Sequence, residues 1–334
     1  MSRIHVLSID GGGIRGIIPA SILAVLEKCV GRKLHQIFDL IAGTSTGGII
    51  ALGIGTTADG GKPYRPADLV EMYVANGPKI FKKGFLAPIK SLFGPKYPPD
   101  ALEEVLQTFF GENEFSSALT PLLISSYDLQ GQLPFFFKSH RIAGDPTFNW
   151  KSRLIARATS AAPTFFPPLH LQKDGADYAL VDGGIFVNNP GMAAYAEARR
   201  IYPDATEFLI VSVGTGDRND GITYNRAKSW GLLGWAKQIV PVMMDSVSEA
   251  VDYELGSVFG SSAARQHFRL QPRLTIASNQ MDDTSKENLT NLQLEAEKFL
   301  RENSQMLQVI CAELRSGRGS NVPGIGRRRE RHNL

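Results

Sequence analysis

The chain has 334 residues, of which 43% are hydrophobic and 21% charged, and its formal net charge is +3. This composition is typical of a globular protein with a large core. Six arginines and one glutamate lie in residues 315–334, so that segment carries +5 and the remaining chain 3 − 5 = −2. The basic balance therefore comes from one terminal segment and indicates no nucleic-acid-binding face.

Strand-like and helix-like segments alternate along the chain. The predicted strands are His5–Ile9, Leu40–Ala42, Leu122–Ser126, Pro134–Ser139, Tyr178–Val181, Phe208–Val213 and His267–Leu270. The predicted helices are Ile14–Val30, Thr46–Gly55, Ser152–Ala162, Gly191–Ile201, Leu232–Phe259 with a kink at Pro241, and Ser285–Leu314. This alternation predicts an α/β fold with a mostly parallel sheet that is covered on both faces.

The chain has no internal repeat and no linker between two cores, so we expect one domain over residues 1–314. The Gly/Arg-rich segment 315–334 has the composition of a disordered tail. The stretch from Lys62 to Asp100 is rich in proline and has little periodicity, which indicates an insertion over one face of the sheet.

Two cysteines, Cys29 and Cys311, are too few for a disulfide framework, and both lie in apolar helical segments, so we expect buried thiols. The most apolar long stretch, Trp230 to Val247, is interrupted by a lysine, a proline and an aspartate, and no transmembrane helix is predicted. No signal-peptide pattern precedes the first glycines. We therefore expect a soluble cytoplasmic protein.

A glycine-rich loop joins the first predicted strand to the first helix. Its glycines are Gly11, Gly12, Gly13 and Gly16. A dinucleotide-binding loop would require an acidic residue about 20 residues later, at the end of the next strand. An oxyanion hole would use the glycine amides at the helix start, with Arg15 adding positive potential. A tight turn without a ligand is the third interpretation.

A second motif, Gly-Thr-Ser-Thr-Gly at residues 43–47, follows the next predicted strand and begins a helix. This context is typical of a nucleophile elbow, in which the small residues Gly43 and Gly47 let the hydroxyl of Ser45 stand clear of the backbone. The alternative is a serine that only caps the helix.

A third motif places Asp182 at the end of a predicted strand, followed by Gly183 and Gly184. Functional sites collect where parallel strands end, and glycines allow another backbone or a substrate to approach closely. An aspartate in a β-turn is the simpler interpretation of this motif alone.

Together the three motifs resemble the patatin-like phospholipase family. Further similarities are Arg-Ala-Thr-Ser-Ala-Ala-Pro-Thr-Phe-Phe-Pro-Pro at 157–168, Ser-Val-Gly-Thr-Gly at 212–216, and the segments DYELGSVF and FRLQP. The resemblance covers about residues 4–300 and leaves out the Arg-rich tail. It implies a patatin-like three-layer α/β/α sandwich and a serine hydrolase of lipid acyl esters, of the phospholipase A type.

The resemblance also implies a Ser-Asp dyad that works without a metal or cofactor. Ser45 would attack an ester carbonyl, and Asp182 would accept its proton and later activate water. The amides of residues 11–13, with Arg15 nearby, would hold the oxyanion. Burial would have to raise the pKa of the aspartate, which is near 3.9 in water.

Three other functions remain open at this point. An acyltransferase of related fold would pass the acyl group to an acceptor other than water. An α/β-hydrolase would use Ser45, Asp182 and His267, which occur in the required chain order. A nucleotide-binding module would use the glycine loop and show no esterase activity. Because His267 lies outside any glycine-rich or polar loop, we assign Asp182 as the direct base.

The family suggests phospholipids, lysophospholipids or galactolipids as substrates. The chain also resembles nucleotide-activated phospholipases of antiphage defence, so a cyclic nucleotide is a candidate activator; a homo-oligomer is left open. Residues 80–96 mix aromatic and aliphatic side chains with lysines, a pattern that suits peripheral contact with the inner membrane face. An amphipathic cover over the core is the alternative.

Overall fold

The computed structural model describes residues 3–57, 61–82, 94–217, 221–260 and 267–316. Within these ranges the strands are β1 Arg3–Ile9, β2 Leu40–Thr44, β3 Leu122–Asp128, β4 Leu133–Lys138, β5 Leu169–Lys173, β6 Ala176–Asp182, β7 Glu207–Val213 and β8 His267–Leu270. The helices are α1 Ile17–Val30, α2 Leu34–Ile37, α3 Thr46–Gly55, α4 Pro66–Ile80, α5 Asp100–Phe110, α6 Ser152–Thr159, α7 Gly184–Val187, α8 Gly191–Ile201, α9 Tyr224–Ala227, α10 Leu232–Phe259, α11 Lys286–Glu302 and α12 Ser304–Ser316.

The strands form one sheet in the order β5-β6-β3-β2-β1-β7-β8, with β4 paired to β3. The five strands from β3 to β8 in this order are parallel, whereas β4, β5 and β6 run antiparallel to their neighbours. Along the centre, Ile9 of β1 is in register with both Gly43 and Val213. The carboxyl ends of the three central strands therefore meet at one edge of the sheet.

Successive side chains of the central strands enter two different cores. Leu7 and Ile9 pack into a core that also holds residues of α1, α3, α4, α11 and α12, while Ile4 and Val6 pack against α8 and α10. A parallel strand that is buried on both faces has a continuous run of apolar residues in its sequence, because both sets of side chains face a core. The structure confirms the predicted three-layer α/β/α sandwich with a mostly parallel sheet.

The proline-rich stretch from Lys62 to Asp100 is more regular than the sequence indicated, because it contains α4. Pro66 is the first residue of this helix, where its missing N–H costs no hydrogen bond. Leu69, Met72 and Tyr73 are buried, and the helix packs on α1. The predicted helix Ser285–Leu314 divides into α11 and α12.

Residues 83–93, most of the predicted membrane-contact segment 80–96, lie outside the described residues. So do residues 317–334 of the predicted tail, while α12 continues to Ser316. No helix in the described ranges combines the length and apolarity that a membrane span needs.

Cys29 and Cys311 are not free thiols, as the sequence led us to expect, but form a disulfide with their Cα atoms 6.2 Å apart. Cys29 lies in the last turn of α1, and Cys311 is a buried residue of α12. The two helices pack against each other, which brings together positions separated by 282 residues. Nothing local in the sequence reports such a distant contact.

The disulfide yields the first prediction. Reducing it should lower the free energy of unfolding by about 2–4 kcal/mol, because the unfolded chain regains the freedom that the bond removes. Urea denaturation with and without reductant measures the difference. The double variant Cys29→Ser/Cys311→Ser is the control and should not respond to reductant. Coincident curves for the wild-type protein would contradict the prediction.

Candidate active site

Ser45 occupies a sharp turn between β2 and α3. Its backbone has φ 54° and ψ −123°, a conformation that costs a non-glycine residue about 1–3 kcal/mol. The turn is tight: a Cβ at Gly47 would lie 2.1 Å from the carbonyl oxygen of Ile9, and one at Gly43 would lie 2.2 Å from that of Gly47. The Ser45 N–H donates a 2.8 Å hydrogen bond to Oγ1 of Thr159. This geometry is that of the predicted nucleophile elbow.

Asp182 is the last residue of β6 and is held by backbone hydrogen bonds. It pairs with Ser126 of β3, and its N–H donates to the Ala161 carbonyl at 3.1 Å. Its Oδ1 accepts a 2.7 Å hydrogen bond from the N–H of Gly184. Gly183 lies against β3, because a Cβ there would be 2.3 Å from Oγ of Ser125.

Burial changes the acidity of Asp182. The side chain is 2% exposed, and desolvation raises its pKa to about 7, although hydrogen bonds from Ser45 and Gly184 oppose the rise. Oδ2 receives no hydrogen bond of regular geometry from a described residue, yet the Ser45 hydroxyl is near enough to lower the carboxyl pKa. A small rotation of the Ser45 hydroxyl is enough to complete a hydrogen bond to the carboxyl.

The glycine loop lies directly beside Ser45. A Cβ at Gly11 would be 3.1 Å from Cβ of Ser45. The Gly11 N–H donates to the carbonyl of Asn188 at 3.1 Å, whereas the N–H groups of Gly12 and Gly13 have no acceptor among the described residues. Gly13 has φ 59°, a conformation that favours glycine. Of the three predicted oxyanion donors, Gly11 is thus already engaged, and Gly12 and Gly13 have no partner among the described residues.

Arg15 is buried and contacts the loop backbone. Its guanidinium donates to the carbonyl of Gly216 at 3.0 Å and, at 3.4 Å, to that of Gly12, which also accepts from the Arg15 N–H. In a trans peptide the C=O of Gly12 and the N–H of Gly13 point in opposite directions. Arg15 therefore orients the Gly13 donor. Gly16 packs against the first residue of α3, since its Cβ would lie 2.1 Å from Oγ1 of Thr46.

The sequence analysis did not predict two contacts that support the glycine loop. Thr215 donates through Oγ1 to the carbonyl of Gly11 at 2.9 Å. Arg269 forms a bidentate ion pair with Asp10, with N–O distances of 3.0 and 2.6 Å. Both residues lie in segments that carried the family resemblance, at 212–216 and in FRLQP, but only the fold shows that they hold the glycine loop.

The described histidines lie away from Ser45. His267 is the first residue of β8, at the amino-terminal end of a parallel strand, whereas Ser45 follows the carboxyl end of β2. Its Nε2 is 3.8 Å from Oδ1 of Asp252, and burial lowers its pKa. His140 pairs with Glu197 at 3.0 Å. The structure thus does not bring His267 to Ser45 and Asp182.

The glycine loop also lacks the acidic partner of a dinucleotide site. Asp39 precedes β2, and its Oδ2 accepts a hydrogen bond from the N–H of His5 at the other end of the sheet. Among the residues that the structure covers, no group of three or more His, Cys, Asp or Glu side chains could hold a metal ion.

An apolar cavity of about 610 Å³, counting the space at its mouth, opens beside Ser45 and Asp182. Most of its lining is aliphatic or aromatic. The apolar lining residues are Ile14, Ile49, Ile80, Phe81, Leu102, Ala162, Phe165, Phe166, Met244 and Met281. Phe81 stacks edge-to-face on Tyr97, with ring centroids 5.4 Å apart. Ile80 and Phe81, which begin the predicted membrane-contact segment, thus face the cavity.

Comparisons with known proteins show the family of the chain. The sequence profile of the patatin-like phospholipase family matches residues 7–195. The chain is 33% identical to patatin-like protein 1 of Arabidopsis thaliana, over 92% of this chain and 84% of that protein. It is 34% identical to patatin-15 of Solanum tuberosum, over 89% and 84%, and 31% identical to patatin-like protein 2 of Oryza sativa subsp. indica, over 99% and 90%. The chain therefore belongs to the patatin-like phospholipase family and is a lipid acyl hydrolase.

Proposed function

We propose that the protein hydrolyses the acyl esters of membrane phospholipids with a dyad of Ser45 and Asp182. The observation that carries the proposal is the buried carboxyl of Asp182 beside the elbow serine, with a pKa raised to about 7. A carboxyl with that pKa can accept a proton near neutral pH, which an ordinary aspartate does poorly.

The reaction takes place in two steps. The Ser45 hydroxyl attacks the ester carbonyl while its proton passes to Asp182. The tetrahedral intermediate collapses to an acyl-enzyme, and Asp182 returns the proton to the departing alcohol. Water then attacks the acyl-enzyme and gives its proton to Asp182, which passes it back to Ser45 as the fatty acid leaves.

The negative oxygen of the intermediate would be held by the amides of Gly12 and Gly13. These two donors have no acceptor within the described chain, while Gly11 already donates to Asn188. Arg15 acts on the oxyanion through the Gly12–Gly13 peptide that it holds. Fixed donors of this kind stabilise charge without reorganising during the reaction.

The cavity supports an acyl chain as the part of the substrate that is transferred to Ser45. Ser45 lines the cavity together with the aliphatic residues Ile49 and Leu102 and with aromatic residues that include Phe81. A fatty acyl chain buried there would be removed from water, which contributes about 0.8 kcal/mol per methylene. The polar headgroup would remain at the mouth, outside this mostly apolar lining.

An acyltransferase would use the same first step, and the two functions differ only in the acceptor. Analysis of the products in the presence of added alcohols or lysolipids separates them. Activation by a cyclic nucleotide, a role in antiphage defence and peripheral contact at the inner membrane face remain predictions from the resemblance. Lipid-product assays on membranes, with and without cyclic nucleotides, test the activation.

The dyad predicts the effect of three substitutions. Ser45→Ala should abolish turnover of phospholipids and of p-nitrophenyl esters. Asp182→Asn keeps the shape but cannot accept the proton, and kcat should fall at least ~10²-fold. His267→Ala, the control, should stay within a few-fold of wild type. An inactive His267→Ala beside a mildly impaired Asp182→Asn would replace the dyad with a triad.

The raised pKa of Asp182 predicts how activity depends on pH. The base works in its ionised form, so kcat/KM should rise with pH through about 7 and then level off. The profile of a soluble ester, measured where the protein stays folded, tests this. A flat profile across neutral pH would contradict the assignment of Asp182 as the base.

The raised pKa of Asp182 also predicts how the free energy of unfolding depends on pH. Between about pH 4 and pH 7 the folded state retains a proton that the unfolded chain has lost, so the free energy of unfolding falls as the pH rises. Above pH 7 the raised pKa of Asp182 lowers the free energy of unfolding by about 4 kcal/mol, at 1.36 kcal/mol per pKa unit. Asp182→Asn should therefore be more stable than wild type near pH 8 but not near pH 4. Denaturation curves at both pH values measure this, and an equal difference at both would refute it.

The oxyanion hole predicts the effect of adding a methyl group at Gly12. Its Cβ would lie 2.2 Å from Oγ1 of Thr215, so the peptide must shift and its donors turn away. We expect kcat to fall about 10²–10³-fold. The control Gly256→Ala adds a methyl group with nothing within 4 Å and should leave kcat unchanged. Near-normal turnover in Gly12→Ala would count against the oxyanion hole.

A further inference from the structure

The first half of α10 and the segment before it form an uncovered surface, in that each of their described side chains is exposed or partly exposed. None of the described side chains from 221 to 243 is buried, whereas the second half of α10 carries the buried residues Met244, Ser248 and Val251. Pro241 lies where the two halves meet and removes a helix hydrogen bond there. The uncovered half is therefore joined to a packed half at a weakened point of the helix.

The uncovered half exposes large apolar side chains on one face. Trp235, Ile239 and Met243 are 44%, 41% and 39% exposed and lie four residues apart, so they share one side of the helix. Trp230, just before the helix, packs its ring edge-to-face on Trp235 with centroids 5.3 Å apart. A contiguous exposed apolar surface of this kind marks an interaction site.

The charge of this segment indicates which kind of partner it binds. Residues 221–244 contain three basic residues, Arg226, Lys228 and Lys237, and no acidic residue. Tyr224 is 79% exposed, with the Lys228 ammonium over its ring. Tryptophan and tyrosine beside lysine and arginine suit the boundary of an anionic bilayer. A second copy of the chain would bring like charges together, which opposes association.

The surface is continuous with the active site. Met243 is exposed, and the next residue, Met244, lines the cavity beside Ser45. A Cβ on Gly184 would lie 3.0 Å from Cε of Met244, so this side chain also borders the loop that follows Asp182. A lipid surface against the uncovered half of α10 would thus lie beside one wall of the acyl cavity.

We propose that residues 221–243 dock on an anionic lipid surface, with Trp235, Ile239 and Met243 inserted among the acyl chains and Arg226 and Lys228 against the headgroups. The proposal deepens the proposed function, because it rests on a lipid surface as the source of the substrate. It adds a docking element distinct from residues 80–96.

The test compares Trp235→Ser/Ile239→Ser/Met243→Ser with a matched control, Val25→Ser/Leu294→Ser/Val309→Ser, whose side chains are 41%, 42% and 48% exposed on other helices. Vesicle binding is measured in a Ser45→Ala background, so that no lipid is consumed. On phosphatidylglycerol/phosphatidylcholine vesicles, the α10 variant should bind at least about tenfold more weakly than its parent, and the control variant should not.

Two further measurements complete the test. With Ser45 present, the α10 variant should hydrolyse a soluble short-chain ester at the parent rate, which shows that it is folded. Parent binding should weaken on pure phosphatidylcholine and at about 0.5 M salt, because the basic residues are then unpaired or screened. Failure of the parent protein to cleave any ester would refute the proposed function. The vesicle-binding result could still be interpreted, because it does not depend on catalysis.

Unchanged vesicle binding by the α10 variant would overturn the docking proposal, as would equal binding to anionic and zwitterionic vesicles. Light scattering could instead show that the parent protein is a dimer and the α10 variant a monomer. That result would assign this face to a second copy of the chain and would also overturn the docking proposal.

Discussion

Removal of one carboxyl group from water is the constraint on which the proposed chemistry depends. An aspartate in water is a weak base at neutral pH, and Asp182 gains basicity because the protein encloses it. Enclosure costs stability, so the surrounding structure has to fix the carboxyl well enough to offset that cost. Two backbone hydrogen bonds and the pairing of β6 with β3 do so.

The enclosure of Asp182 also requires close packing of the backbone around Ser45. All ten residues of α3 are buried, and its first turn lies against the end of β1. The start of such a helix carries a partial positive charge, which favours negative charge on the serine oxygen. Exposing the elbow to make room for larger side chains would admit water and return Asp182 to its ordinary acidity.

The central sheet and the turn at Ser45 could be predicted from the sequence because their signals are local. Buried parallel strands such as β1 and β7 read as apolar runs, and the elbow shows in the spacing of Gly43 and Gly47 around Ser45. The sequence does not predict helix α4, because the prolines and weak periodicity of this stretch indicate an irregular insertion, although Pro66 stands at a helix start. The engaged amide of Gly11 and the Asp10–Arg269 pair depend on contacts far apart in the chain.

The disulfide between Cys29 and Cys311 bears on the order in which the molecule is made. Its second cysteine lies in the last described helix, so the bond can form only after nearly the whole domain has left the ribosome. All eight described strands precede Cys311 in the chain, so the bond cannot guide their pairing while they are being synthesised. Once formed, it also keeps the first and last helices covalently joined, so that a single proteolytic cut in an intervening loop does not release either part.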